Sequence, residues 1–475
     1  MSVRPWLVLA AVGALAGCAS GPAYQSPLPD LATRWKLEAP WREGRPDDAA
    51  AKGAWWQAFA DAELDRLEQQ ALAHSPTLAL AQARLAQARA ALVATSAPAL
   101  PQLGLGERAA RQKISANRPL SNYSSLNYST VQNELSAAMS VNYELDLAAR
   151  VDQSIAAAQA SVGQSAADLE NTRLLLGADL AANYFNLRAL DAELGLLQRS
   201  IAWQQRALEL ASSRRELGAA SGLELAQQQT LLDTTLVQRE LLVRQRGQYE
   251  HAVATLCGLA APQFTLTPQV GELKAPAVPL GLPSELLQRR PDIASAERAM
   301  AGANAQIGVA NAAFYPGITL GSTLGADSRN LGTLFNAPSL LWSLGLSATQ
   351  TLFDGGRTRA NVDFARAGYD ATVANYRRVV LTAMQEVQDG ITGLQALERT
   401  AAQAELALAS ARRVAEMTSE RYQGGASAYF EVIAAQQALL ASERQATQLL
   451  GQRLVTTVFL VKALGGDWHS RLSAQ

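Results

Sequence analysis

Cysteine and histidine are scarce in this chain. Its 475 residues hold Cys18 and Cys257 and the widely separated His74, His251 and His469. So few thiols exclude a disulfide-stapled scaffold, and two cysteines cannot complete a zinc site unaided. Charge is also low, at 17% of residues, with 41 Lys plus Arg against 42 Asp plus Glu. A net charge of −1 leaves no basic footprint for nucleic acid and no acidic tail. Nucleophile and metal signatures of the Gly-x-Ser-x-Gly, His-Glu-x-x-His and Cys-x-x-Cys types are missing. Gly355-Gly356-Arg357 lacks the Lys-Ser/Thr of a phosphate loop and reads as a turn. The expectation is a chain that is not an enzyme and holds no metal or cofactor.

What is present begins with an address. Arg4 precedes a short apolar run, Leu7 to Ala14, too short for a bilayer, which needs about 20 apolar residues. The run ends in Leu15-Ala16-Gly17-Cys18, which resembles the lipobox of bacterial lipoproteins. The resemblance implies cleavage after residue 17 and a covalent lipid on Cys18. Ala19, in place of Asp, implies sorting to the outer membrane. Residues 18–53, rich in Pro, Asp and Arg, read as an extended arm.

The rest of the chain is written twice. Asp146-Leu147-Ala148-Ala149-Arg150 corresponds to Phe353-Asp354-Gly355-Gly356-Arg357, an offset of 207. At the same offset Leu187, Gly218, Glu224 and Gly258 meet Leu394, Gly425, Glu431 and Gly465. Upstream the offset is 215, carrying Pro76 and Pro101 onto Pro291 and Pro316. The first copy therefore has the longer loop between its strands. The boundaries read as 54–260 for the first copy, 261–283 for a proline-rich equatorial linker, 284–466 for the second copy and 467–475 for a tail.

Each copy reads helix, strand, loop, strand, very long helix, turn, helix. From Leu135 to Leu145 apolar and polar residues alternate strictly, and Leu340 to Thr349 and Ile318 to Gly325 do the same. A strand near Leu103 is weaker, with alternation expected to dissolve after Gly106. Strands of about 10–14 residues with one apolar and one polar face fit a barrel wall. After Arg150 and Arg357 the period becomes 3–4, through Leu187, Leu190, Leu194, Leu197 and Ile201 and through Val380, Met384, Val387, Ile391 and Leu394. No proline interrupts either stretch, so each predicts a helix of about 65 residues, roughly 100 Å long. The turns opening these helices contain Arg150, Gly355, Gly356 and Arg357; because the first copy has Ala148-Ala149 where the second has Gly-Gly, a positive φ is not expected there.

Four strands cannot close a barrel, the smallest of which have about eight, and an open edge in hydrocarbon leaves backbone groups unpaired. Strands in a membrane thus require a shared, oligomeric barrel, and helices this long and polar must project into water.

Leu282-Pro283-Ser284-Glu285-Leu286-Leu287-Gln288-Arg289-Arg290-Pro291-Asp292-Ile293, Phe353 to Arg357, Arg421-Tyr422-Gln423-Gly424-Gly425, Leu464-Gly465-Gly466 and Trp55-Trp56 carry a family resemblance. The chain resembles the TolC-like outer-membrane efflux factors, in particular the lipoproteins serving resistance–nodulation–division pumps. The resemblance implies an α+β membrane protein, a homotrimer whose twelve strands form one transmembrane β-barrel continuous with a periplasmic α-barrel. It implies a periplasmic adaptor and an inner-membrane pump as partners, and a passive exit duct as function. A type I secretion duct and a non-conducting coiled-coil lipoprotein are the alternatives. Gly218, Ser221, Arg421, Tyr422 and Gly425 match the adaptor-docking tips, although a plain helix cap explains the glycines equally well. Family members often carry Asp two residues after this glycine; here the position is Ser427, which leaves Glu420 and Glu431 as substitute carboxylates for a tip constriction.

Overall fold

The computed structural model describes residues 54–117, 129–218, 221–269, 276 and 290–466. Cys18, the extended arm, the 467–475 tail and most of the linker lie outside the described residues. Helices α1 (Ala62–His74) and α2 (Pro76–Ser96) lead into strands β1 (Gln102–Ile114) and β2 (Thr130–Leu145). Helices α3 (Arg150–Glu216) and α4 (Gly222–Leu256) complete the first copy. The second copy runs α5 (Pro291–Ala312), β3 (Gly317–Ser328), β4 (Leu340–Thr349), α6 (Arg357–Gln423) and α7 (Tyr429–Ala463).

The duplication is exact at the level of helix ends. Helices α3 and α6 have 67 residues each and α4 and α7 have 35 each, all four boundaries lying 207 apart. Prolines open α2 and α5, where a missing N–H costs nothing. Gly258 and Gly465 close α4 and α7 with φ of 74° and 91°. In both, the following amide reaches back five residues, Leu259 N to Ala254 O at 2.8 Å and Gly466 N to Val461 O at 3.0 Å. That is a Schellman closure, which satisfies carbonyls the helix leaves bare. Of the linker, Ala261–Gln263 forms a single 3-10 turn followed by irregular chain.

The four strands form one antiparallel sheet in the order β1-β2-β3-β4. β1 does not stop at Gly106: it pairs without a break from Gln102 opposite Asn142 to Ile114 opposite Thr130. The alternation fails there because Glu107, Arg111 and Lys113 take the positions that Leu103 and Leu105 begin, while the backbone ladder continues. β2 starts five residues before Leu135 and reaches 16 residues. The turn into α3 also departs from expectation: Ala149 adopts φ of 56°, matching Gly356 at 92°. The left-handed turn is thus needed in both copies, and the first makes it with alanine at a steric cost of about 1–2 kcal/mol.

Chain contacts divide the protein into two compact units, and these are not the two copies. Among the described residues, one unit holds the sheet with those of 84–166 and 295–376; the other takes those of 54–83, 167–294 and 377–466. In the first unit, glycines bring helices together: a Cβ at Gly302 would lie 3.5 Å from Ala160 Cβ, and one at Gly308 would lie 2.7 Å from Gln153. The second unit contains the main apolar core, built from Trp55, Trp56, Leu64, Leu67, Tyr184, Phe185, Val387, Ile391, Leu454 and Val458. Tyr184 donates to Asp61 at 2.7 Å, while Asp61 also caps α1 by accepting from Glu63 N and Leu64 N. Cys257 is a buried packing thiol near Leu67 O, at 3.6 Å, and burial pushes its pKa up to about 11.

Glu68 is fully buried in this core, and neither carboxyl oxygen has a hydrogen-bond partner among the described residues. Burial, aided by Asp65, holds its pKa well above the usual 4.5. The folded chain therefore keeps a proton that the unfolded chain releases, so stability falls as pH rises above about 4.5. Glu68→Gln should flatten that decline in a thermal-melting series between pH 4 and pH 8; an unaltered slope would assign it to other groups. Gly258→Ala and Gly218→Ala incur the same left-handed cost of about 1–2 kcal/mol. A Cβ at Gly258 would also lie 2.4 Å from His74 O, whereas Gly218 has open space. Gly258→Ala should lower the melting temperature well beyond Gly218→Ala, and equal shifts would contradict this packing.

Candidate functional site

The α3–α4 and α6–α7 turns hold most of the residues singled out in the sequence. Helix α6 ends as α4 does: Gly425 takes φ of 74°, and Ala426 N donates to Arg421 O at 2.8 Å. Gly218 closes α3 with φ of 73°, its N–H donating to Arg215 O at 2.9 Å. The glycine caps are therefore real, whatever else the turns do. Ser221 caps α4, its hydroxyl accepting from Glu224 N at 3.2 Å. The Ser-x-x-Glu spacing signals such an N-terminus in the sequence. Its counterpart in the second copy is Ala428, which provides no side-chain cap.

The two turns are joined through Tyr422. The Arg214 guanidinium donates to the Tyr422 hydroxyl and lies 5.5 Å from the ring centroid. Tyr422 in turn donates to Glu224 Oε1 at 3.1 Å. The ring of Tyr429 lies 5.1 Å from that of Tyr422, and its hydroxyl donates to Gln228 Oε1 at 2.9 Å. Buried Gln228 donates on to Gln204 O at 3.0 Å. Burial and the Glu224 carboxylate raise the pKa of Tyr422, partly offset by Arg214. Tyr429 is pushed up to about 12 by burial, then by Tyr422 and Glu224. Both phenols stay protonated and able to donate. A groove of about 250 Å³, lined in part by Trp203, Leu210, Arg214, Tyr422 and Val432, opens beside them.

Arg421 is not part of this network; its guanidinium donates to Ala426 O at 3.3 Å across its own turn. Sequence reasoning named Arg421 and missed Arg214, although the two occupy equivalent positions at the 207 offset. Glu420 and Glu431 are exposed, and Glu420 lines a second groove with Glu416 and Gln436. The Ser427 hydroxyl is buried without a partner among the described residues. At the other end of α3, Arg150 makes a two-point bridge to Glu144, at 2.8 and 2.5 Å, tying helix to strand. In the second copy Asp354 instead caps the start of α6, accepting from Gly356 N and from both donors of Thr358. Arg357 is exposed.

Paired 67-residue helices joined to an antiparallel sheet with one apolar face are a distinctive combination. The model of the outer membrane efflux protein family matches residues 67–260 and 282–466, one match per copy. This chain belongs to the outer membrane efflux protein family. Among its relatives is the pyoverdine export outer membrane protein OpmQ of Pseudomonas aeruginosa, 32% identical over 99% of this chain and 98% of that protein. The toluene efflux pump outer membrane protein TtgF of Pseudomonas putida is 32% identical over 98% of this chain and 97% of its own length. Among solved structures, the outer-membrane channel OprN superposes with a TM-score of 0.86 at 25% identity, over 95% of this chain and all of that one. The open state of the Neisseria gonorrhoeae MtrE channel gives 0.81 at 26% identity, over 94% and 98% of the two chains. The fold is that of the TolC-like channels, and the outer membrane is where this efflux protein acts. No described helix is long and apolar enough to cross a bilayer.

Removing the Ser221 hydroxyl tests the local argument. Ser221→Ala should cost about 1 kcal/mol at the start of α4. Amide exchange over 222–226 should accelerate accordingly, with exchange over 429–433 unchanged because Ala428 never supplied a side-chain cap.

Proposed function

We propose that the chain forms the outer-membrane exit duct of a tripartite efflux system, as a homotrimer with an inner-membrane pump and a periplasmic adaptor. The observation that carries this reading is the amphipathic four-stranded sheet, open at both edges, in a chain of this family. Three copies supply twelve strands, within the range of known barrels. The duct does no chemistry: it offers a wet path, and the pump supplies the energy and selects the cargo. Cys18 carries the lipid that holds the mature N-terminus at the bilayer. One acyl chain gives only marginal binding at about 0.8 kcal/mol per methylene, so the anchor supplements the barrel.

The turns around Gly218 and Ser221 and around Arg421, Tyr422 and Gly425 are the surfaces offered to the adaptor. Arg214, Tyr422 and Glu224 hold the two turns together in a closed tip, and engagement of partners replaces those contacts. Glu420 and Glu431, both exposed at the tip, supply what carboxylate character the entrance has.

Reconstituted in planar bilayers, the protein should give SDS-resistant trimers of low conductance. Arg214→Ala combined with Tyr422→Phe should raise that conductance several-fold with trimers intact. A conductance equal to that of the parent would remove these residues from the gate, and a soluble monomer without channel activity would end the duct reading.

A further inference from the structure

The outward face of the sheet continues beyond its apolar residues. Residues directly opposed in an antiparallel ladder share a face, so the register sorts the strands into rows. One face carries Leu103 opposite Val141 and Ser322 opposite Leu344; the next row carries Leu105, Met139, Leu324 and Trp342. Leu103, Leu105, Trp342 and Leu344 are each about two-thirds or more exposed, as side chains facing lipid must be in a single chain. On β2 this face runs from Leu145 to Leu135. Ten residues at about 3.4 Å each give roughly 34 Å along the strand. Tilted by 35–45°, that is an apolar band of about 25 Å, the height expected of a barrel belt.

The next two rows on the same face are Arg111 opposite Asn133 and Lys113 opposite Val131. They lie at the end of the sheet away from α3 and α6, which in the duct reading is the cell exterior. Both side chains are exposed, and neither has an ion-pair partner among the described residues. The cation that points to the other face, Arg108, does have one, Glu134 at 4.0 Å. Glu107 shares the outward face but sits opposite Ala137, within the apolar rows. Its backbone is about 14 Å along the strand from that of Arg111, beyond the roughly 10 Å over which exposed charges act in salt. The two cations therefore stand unneutralised at the height where hydrocarbon gives way to headgroups.

We propose that Arg111 and Lys113 bind the phosphate groups of a lipid in the outer leaflet, securing the barrel to a phosphorylated headgroup layer. This inference rests on the outer-membrane reading above. Guanidinium groups take phosphate with two parallel hydrogen bonds, and ammonium groups take it as a point charge. Two basic residues near an anionic lipid surface together favour binding about 30-fold.

The test uses the full-length trimer in neutral detergent and one membrane glycolipid in two forms, bisphosphorylated and enzymatically dephosphorylated. Native mass spectrometry should show the phosphorylated form bound about 10- to 30-fold more tightly. Inorganic phosphate at millimolar concentration should not displace it, because the acyl chains share in the binding. Arg111→Gln with Lys113→Gln should abolish the preference, while Arg108→Gln on the opposite face should keep it. If the double variant fails to assemble, each single variant should lose several-fold of the preference. Equal binding of both lipids by the parent protein, or a preference surviving in the variants, overturns the proposal. Displacement by free phosphate alone would overturn the lipid assignment and leave an anion site. Channel conductance is measured on the same samples, so a conducting trimer with no lipid preference sinks this inference and leaves the duct intact.

Discussion

The outer edges of β1 and β4 carry backbone amides and carbonyls for which the four-stranded sheet provides no partner. In water such an edge is merely a liability. In hydrocarbon each unmet group costs several kcal/mol, so a strand of ten or more residues cannot remain open there. Closure by further copies of the same chain is the solution that adds no new sequence. The four strands contributed per chain, their outward leucines, and the helices that leave the sheet at one end all follow once that demand is met. The helices inherit the symmetry of the barrel, because α3 and α6 begin within a few residues of β2 and β4.

Duplication makes this economical, but the copies have diverged where they touch. Arg444 of α7 bridges to Glu193 of α3 at 2.6 Å and donates to Gln238 of α4. The residues 207 positions away from Arg444 and Glu193 are Val237 and Thr400, with Val237 61% exposed. Likewise Tyr429 corresponds to Gly222, and Tyr422 to Arg215. One seam between copies is thus closed inside the chain by ions and phenols. The equivalent positions that would form the other seam include Val237 and Leu241, the latter 53% exposed. The polar seam inside the chain and its equivalent therefore differ in chemistry.

Much of this was legible in the sequence because periodicity and repetition are encoded in the order of residues. The offset of 207 located both ends of the long helices, since an uninterrupted apolar stripe bounded by matching glycines marks them. What was not legible depended on geometry. β1 looked weak because an edge strand whose outward face passes from leucine to charge loses its alternation without losing its ladder. Ala149 concealed a left-handed turn, since only glycine advertises one. Arg214 was overlooked because its partner Tyr422 is 208 residues distant, although its equivalence to Arg421 at the repeat offset was available to flag it. Glu68 gave no signal at all: a glutamate in an amphipathic helix reads as surface until Gly177 is seen to face it.

Apolar burial within the helical unit is unevenly distributed, and that sets where it can move. Leu180, Tyr184, Leu187, Val387, Ile391, Leu454 and Val461 are essentially inaccessible, all on the stretches of α3, α6 and α7 remote from the tip turns. Arg188, Asp191 and Arg246 fix the linker against the same region through Thr267 O, Leu266 O and Gln269 N. Arg290 binds Asp292, Glu386 and Ala463 O, clasping the start of α5. Breaking buried pairs of this kind costs about 3–5 kcal/mol. Over the last turns of α3 and α6 the buried set thins to Ala211 and Ala415, with Leu210 and Met417 exposed. There the contacts between turns are partly exposed hydrogen bonds worth about 1 kcal/mol each. Elements that must open are drawn from the low-stability end of a structure. In the duct proposed above, it is the tip held by Tyr422 and Tyr429 that would separate at low cost, while the clasped and buried girdle would keep the helices in register.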